Sequence, residues 1–218
     1  MIELISIHIP KTAGRSFLSI LHSVYGSEHI AHFEKTFFPD KSVSEIQQFT
    51  SALSGSVRVI HGHFQYKEIK ELHRRNNSKV IAWLRNPVER VISNYSFFMK
   101  RIRESPDDAE RDRRKNETLL EYAALENSRN RMTKFMDGLE LNRYFFIGIT
   151  ENFESDIREL ASMLNWGPID IPRINDNSGF KLQLPPVNDE QRKIIAELNR
   201  DDLELYRTIV ERKNNRIN

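Results

Sequence analysis

Apolar residues fall in short blocks along the chain, separated by longer stretches in which polar and apolar positions alternate. Residues 4–9 (LISIHI), 57–60 (VRVI), 79–84 (KVIAWL) and 144–149 (YFFIGI) are compact runs rich in β-branched and aromatic side chains, and each reads as a buried strand. Between them the spacing turns helical. RSFLSILHSVYG reads as a helix ending near Gly26. A second runs from Val88 to about Arg101, with Pro87 at its N1 position, and a third covers Glu151–Leu164 with acidic residues at its start. Two short helices, near 189–199 and 201–213, finish the chain. Strands alternating with helices predict an α/β fold: a central, mostly parallel sheet with helices on both faces, in a single domain over 1–218. Such sheets hold ligands at the carboxyl ends of their strands. Three of the four strands run directly into polar residues, Pro10–Lys11, His61–His63 and Arg85–Asn86, and these groups are expected to converge.

Composition narrows the chemistry. The 33 basic and 31 acidic side chains leave a net charge of +2, which gives no general argument for nucleic acid as a partner. There is no cysteine, so disulfides, thiolate metal sites and a cysteine nucleophile are excluded, and a reducing compartment fits. No apolar run approaches the ~18 residues of a membrane span. The apolar stretch from Ile2 to Ile9 is too short for a signal peptide, so a cytoplasmic protein is expected. Residues 101–116 carry six basic and five acidic side chains; they read as a solvated helix end and loop, or as a mobile flap over the acceptor.

Three short motifs carry candidate chemistry. PKTAGRS, at 10–16, lies between a strand and a helix. Backbone N–H groups there can cradle an anion at the helix N-terminus, Gly14 lets the main chain approach it, and Lys11 adds a full charge. Lys11 precedes Gly14 by three, so this is not a nucleotide triphosphatase loop, and taken alone the motif fits an anion site or an ordinary turn. RNPVERVISNY, at 85–95, places Arg85 at a strand end and Ser93 near the second turn of the next helix, a pairing able to hold a phosphate. Arg90 fits the same role or an ion pair with Glu89 or Glu104, while Tyr95 and Phe98 read as core. HGHF, at 61–64, sets two histidines about one glycine. Histidine suits a general base acting on an alcohol. Metal binding is a rival, but no third ligand stands at a suitable spacing, and no metal is expected.

Together these motifs resemble the sulfotransferase superfamily, and within it the carbohydrate O-sulfotransferases related to heparan sulfate 2-O-sulfotransferase. The pair PKTAGRS and RNPVERVISNY, the HGH after the second strand, NRMTKFM (130–136) and YFFIGITENFE (144–154) carry the resemblance over most of the chain. The resemblance implies a P-loop-like fold and 3′-phosphoadenosine 5′-phosphosulfate (PAPS) as sulfuryl donor. It implies that Lys11, Thr12, Ala13, Gly14, Arg15, Ser16 and Phe17 hold the 5′-phosphosulfate, and that Arg85 and Ser93 hold the 3′-phosphate. Lys11 then stabilises the leaving group, His63 is the general base, and His61 helps or orients the loop. The acceptor is a hydroxyl, with a carbohydrate favoured. Arg15 stands where many members carry threonine, so the hydroxyl contact to the 5′-phosphate is either lost or supplied by Ser16 and Thr12. Animal members are anchored Golgi enzymes with disulfides; this chain resembles a compact bacterial relative. RINDNSGFK (173–181) falls where the family closes a loop over the nucleotide. The alternatives are a P-loop-type nucleotide triphosphatase or kinase, and a nucleotide-binding module without activity. The first lacks its Gly-Lys-Ser/Thr loop and its metal-binding acid here.

Overall fold

Five short strands pair in parallel in the order β2-β3-β1-β4-β5: β1 Leu4–Ile7, β2 Ile30–Phe33, β3 Val59–Gly62, β4 Lys79–Leu84 and β5 Phe146–Ile149. The computed structural model describes residues 1–34, 43–104, 109–171 and 184–217. Residues 173–181, including Asn175, Ser178 and Lys181, lie outside the described residues, as do 105–108 of the charged run. The helices are α1 Gly14–Tyr25, α2 Val43–Ser51, α3 Tyr66–Asn76, α4 Pro87–Glu104, α5 Ala109–Arg114, α6 Leu119–Ala124, α7 Arg131–Met136, α8 Phe153–Met163, α9 Asp189–Leu198 and α10 Arg200–Ile217. Among the described residues no helix is long and apolar enough to cross a membrane.

The chain divides into two compact units, Met1–Leu84 with Lys134–Ile174, and Arg85–Thr133 with Asn175–Asn218. The first holds the whole sheet. β1 and β3 are buried at every position, as expected of parallel strands covered on both faces. One face carries Leu4, Val59, Ile81, Trp83 and Phe146, packed against Phe17, Ile20 and Leu21 of α1 and Phe153, Ile157 and Leu160 of α8. Ile5, Ile60, Val80 and Ala82 alternate onto the opposite face and are buried as well. The second unit has its own core, in which Val91, Tyr95, Phe98 and Met99 of α4 meet Leu119, Tyr122 and Ala123 of α6 and Ile195 of α9.

The α/β expectation holds, with local differences. β2 was not anticipated. It is a four-residue edge strand with no fully buried position, too short to stand out as an apolar run once His32 interrupts it. α3 was also missed, since only Tyr66 and Ile69 on it are buried. A capping box between Gln65 and Glu68 starts that helix, and Asn77 in the left-handed conformation ends it. The second expected strand shifts from 57–60 to Val59–Gly62. Val57 N–H bonds Ser54 O in a turn, whereas His61 and Gly62 register with Ser6 and Ile7. His61 is therefore inside a strand rather than after it.

Candidate active site

In the first unit, the strand order reverses direction around β1 and β4: the chain leaves β1 towards β2 and β3, and leaves β4 the other way. Carboxyl ends at such a reversal open a crevice for ligands. The loop leaving β1 is shaped for that position. Lys11 and Ala13 both adopt positive φ, 73° and 63°, which is uncommon for residues other than glycine and costs of order 1–3 kcal/mol each. Thr12, buried between them, donates its hydroxyl to Ile9 O at 2.8 Å and braces the turn. Alternation of handedness along such a turn brings successive N–H groups into an anion-binding concavity. α1 begins at once with Gly14, so the dipole at its N-terminus adds to the same field.

Ser16 is buried in the first turn of α1 and Arg15 is exposed. Phe17 is a core residue: its ring meets those of Trp83 and His61 at 5.5 and 6.1 Å, and its N–H bonds Ala13 O at 3.0 Å. Gly14 has a packing reason to be glycine, since a Cβ there would run into the imidazole of His8.

His8 and His32 are site residues that sequence reasoning did not single out. Ser6, His61 and His32 lie in one register row across β1, β3 and β2. His8 and His63 continue that face beyond the strand ends, with His8 N–H on Gly62 O at 2.8 Å. His8 stacks on His63 with ring centroids 4.0 Å apart, and on His61 at 4.9 Å. Gly62 permits the close strand approach, because a Cβ there would meet Phe33 O. Four of the chain's seven histidines thus gather beside the loop that leaves β1. The sequence signal was faint. His8 needed the exact register of β1, and His32 lies on the strand that was missed.

The four differ in environment. His61 is 1% exposed and its Nδ1 lies 2.9 Å from Ser6 Oγ. Burial first, then the neighbouring imidazoles, hold the pKa of His61 and of His8 well below the ordinary histidine value, so both are neutral. His63 is half-buried, and its Nδ1 donates to His8 O at 2.7 Å. A carbonyl only accepts, so the proton of neutral His63 is fixed on Nδ1 and the lone pair is fixed on Nε2.

At the end of β4, Thr150 Oγ1 donates to Leu84 O at 2.7 Å and Asp156 accepts from Ile149 N–H at 2.6 Å, tying the ends of β4 and β5. Arg85 and Ser93 belong to the second unit. Pro87 opens α4 as expected, and Asn86 Oδ1 accepts from Val88 and Glu89 N–H at 3.1 and 3.3 Å. Ser93 is buried in the second turn, and its hydroxyl has no hydrogen-bond partner among the described residues. Arg90 pairs with neither Glu89 nor Glu104. It is fully buried beside Asp202, with Nε 3.8 Å from Oδ2, and Nη2 donates to Ser128 O at 2.9 Å. Desolvation brings its pKa down to about 10. Glu89 binds Arg192 instead, at 2.6 Å, and Glu104 binds Lys100, at 3.2 Å.

The family model described as the sulfotransferase family matches residues 2–207. The chain belongs to the sulfotransferase family. No curated protein matches this sulfotransferase. Among solved structures, a sulfotransferase from Alicyclobacillus acidocaldarius superposes with a TM-score of 0.54 at 15% identity, covering 94% of this chain and 95% of that one. Mouse sulfotransferase SULT7A1, solved in complex with 3′-phosphoadenosine 5′-phosphate (PAP), gives a TM-score of 0.52 at 15% identity over 90% of this chain and 62% of that one. At this identity the likenesses are of fold. They agree with a P-loop-like sulfotransferase fold built on a parallel five-stranded sheet.

Proposed function

We propose that this sulfotransferase moves the sulfuryl group of PAPS onto a hydroxyl of a carbohydrate acceptor, with residues 1–218 acting as one catalytic domain. The family match over 2–207 supports the single domain, and the absence of cysteine fits work in the cytoplasm. Backbone N–H groups from Lys11 to Ser16 hold the 5′-phosphosulfate, with the Lys11 ammonium at the bridging oxygen. Phe17 seats the helix that presents them. Arg85 and the Ser93 hydroxyl take the 3′-phosphate. A buried serine hydroxyl without a protein partner is unusual, and an anion is a fitting acceptor for its proton.

The reaction is an in-line displacement at sulfur. The acceptor oxygen forms a bond to sulfur as the bond from sulfur to the phosphate oxygen breaks. The acceptor proton passes to His63 Nε2, and PAP leaves with the negative charge, which Lys11 offsets. The observation that carries this reading is the hydrogen bond from His63 Nδ1 to His8 O, which leaves Nε2 as the basic atom. His61, buried and neutral, orients the strand end. A carbohydrate is favoured by the sequence resemblance of the HGH and NRMTKFM segments.

The test compares turnover with PAP affinity in His63→Ala. Turnover should fall by about 10²–10⁴, the usual worth of a general base. PAP affinity, measured by titration calorimetry, should stay within about threefold of wild type, because the donor contacts lie on other segments. Unchanged turnover with intact affinity would remove His63 from the role and make His61 the next candidate.

A further inference from the structure

The HGH motif offers two histidines and no third ligand within reach along the sequence; the sheet supplies others. Parallel register sets His61 of β3 beside His32 of β2, and the alternation of β1 carries His8 onto the same face. One imidazole nitrogen from each of His8, His32 and His61 lies within 4.8 Å of the others. The rings of His8 and His32 stand 4.9 and 5.5 Å from that of His61. On two of these three rings a nitrogen, His8 Nδ1 and His61 Nε2, is buried and has no hydrogen-bond partner among the described residues. Buried polar atoms are nearly always paired, so two orphans in one cluster point to a ligand.

We propose that His8, His32 and His61 form a three-imidazole site for a divalent transition-metal ion of the Zn²⁺ class. Metal ligation needs neutral imidazoles, and burial keeps His8 and His61 in that form. Ser6 Oγ, 2.9 Å from His61 Nδ1, is the outer partner that leaves Nε2 to the metal. An all-nitrogen set selects Zn²⁺, Ni²⁺ or Cu²⁺ over Mg²⁺ or Ca²⁺, which prefer oxygen. A tetrahedral ion with Zn–N of ~2.0–2.1 Å spaces its ligand nitrogens about 3.4 Å apart, so the cluster closes by roughly an ångström. His32 is the most exposed of the three and lies on the edge strand, where its ring has room to make that movement. Lys11, whose charge reaches His8, opposes a cation there; Glu34, whose charge reaches His32, favours one. Three protein ligands leave a fourth position open, as in catalytic rather than structural zinc sites.

The test uses tag-free, EDTA-treated full-length protein, titrated with Co²⁺ and followed by the visible absorption of the tetrahedral ion, with Zn²⁺ as competitor. One ion per chain is expected. His32→Ala should weaken Zn²⁺ binding by more than the roughly 10–100-fold that loss of an outer-shell partner costs. Its melting temperature without metal should match wild type, which separates lost ligation from lost folding. His29→Ala, outside the cluster, should bind Zn²⁺ normally. Absence of a tetrahedral Co²⁺ spectrum, or Zn²⁺ affinity unaffected by His32→Ala, overturns the site. None of these readings depends on turnover, so failure here leaves the sulfuryl-transfer reading standing.

Discussion

Gly14→Ala is a small change with a large expected consequence. Gly14 does not need a left-handed backbone, so alanine is compatible with the main chain there. Helix propensity alone would reward the change by up to ~1 kcal/mol. Packing decides otherwise. The new Cβ would overlap Cδ2 and Nε2 of His8, and carbon contacts are optimal near ~3.5–4.0 Å, so the ring must retreat by more than ~1 Å. His8 has no slack, because its other neighbours are the His63 ring at 4.0 Å and the His61 ring at 4.9 Å. Overpacking of this kind costs ~1–3 kcal/mol, giving a net loss of about 0–3 kcal/mol after the propensity gain. At ~2–4 °C per kcal/mol the melting temperature should fall by no more than about 12 °C. Turnover should fall further than stability does, by about 10²-fold, the usual effect of misplacing a reacting group by ~1 Å. Calorimetric melting and a labelled-donor assay read the two effects. The double variant His8→Ala/Gly14→Ala removes the obstacle, so the penalty of Gly14→Ala measured on the His8→Ala background should vanish or reverse. An active, stable Gly14→Ala, or a penalty equal on both backgrounds, would show that His8 does not rest on Gly14.

Two further substitutions probe the second unit. Arg85→Ala should weaken PAP binding by about 1.5–3 kcal/mol, the worth of a charge-assisted hydrogen bond, while barely changing affinity for 5′-AMP; calorimetry that finds both ligands equally weakened would place the 3′-phosphate elsewhere. Asp202→Ala removes the acceptor for Met132 N–H, Thr133 N–H and the Thr133 hydroxyl and leaves Arg90 buried without its counter-charge. That should cost about 3–5 kcal/mol in urea unfolding, whereas Arg90→Met/Asp202→Leu, which loses the same three acceptor bonds but leaves no lone charge, should cost less; equal losses would mean that the lone charge is not the cause.

Much of the sheet was legible because its strands are buried on both faces and so read as unbroken apolar runs. Lys11, Gly14, His61 and His63 stood out because their motifs join strand ends, where ligand chemistry gathers. What stayed hidden depends on pairing between distant segments. Nothing in IAHF announces a strand; it becomes one by accepting the free edge of β3. His8 looked like one more position in an apolar run, and only the register of β1 with β3 turns it towards the histidines. Arg90 shows the reverse error. Its nearby acids, Glu89 and Glu104, were the obvious partners by distance along the chain. The real one is 112 positions away, because Asp202 at the start of α10 is buried with it.

The hydrogen bond from His63 to His8 ends on a main-chain oxygen, and every amino acid supplies one. Substitution at position 8 therefore cannot change which nitrogen of His63 carries the proton, whereas it can shift where the ring stands. Protonation geometry and ring placement are thus separable under mutation. A lineage could exchange His8 for a different wall against His63 and keep the His63 proton on Nδ1 throughout.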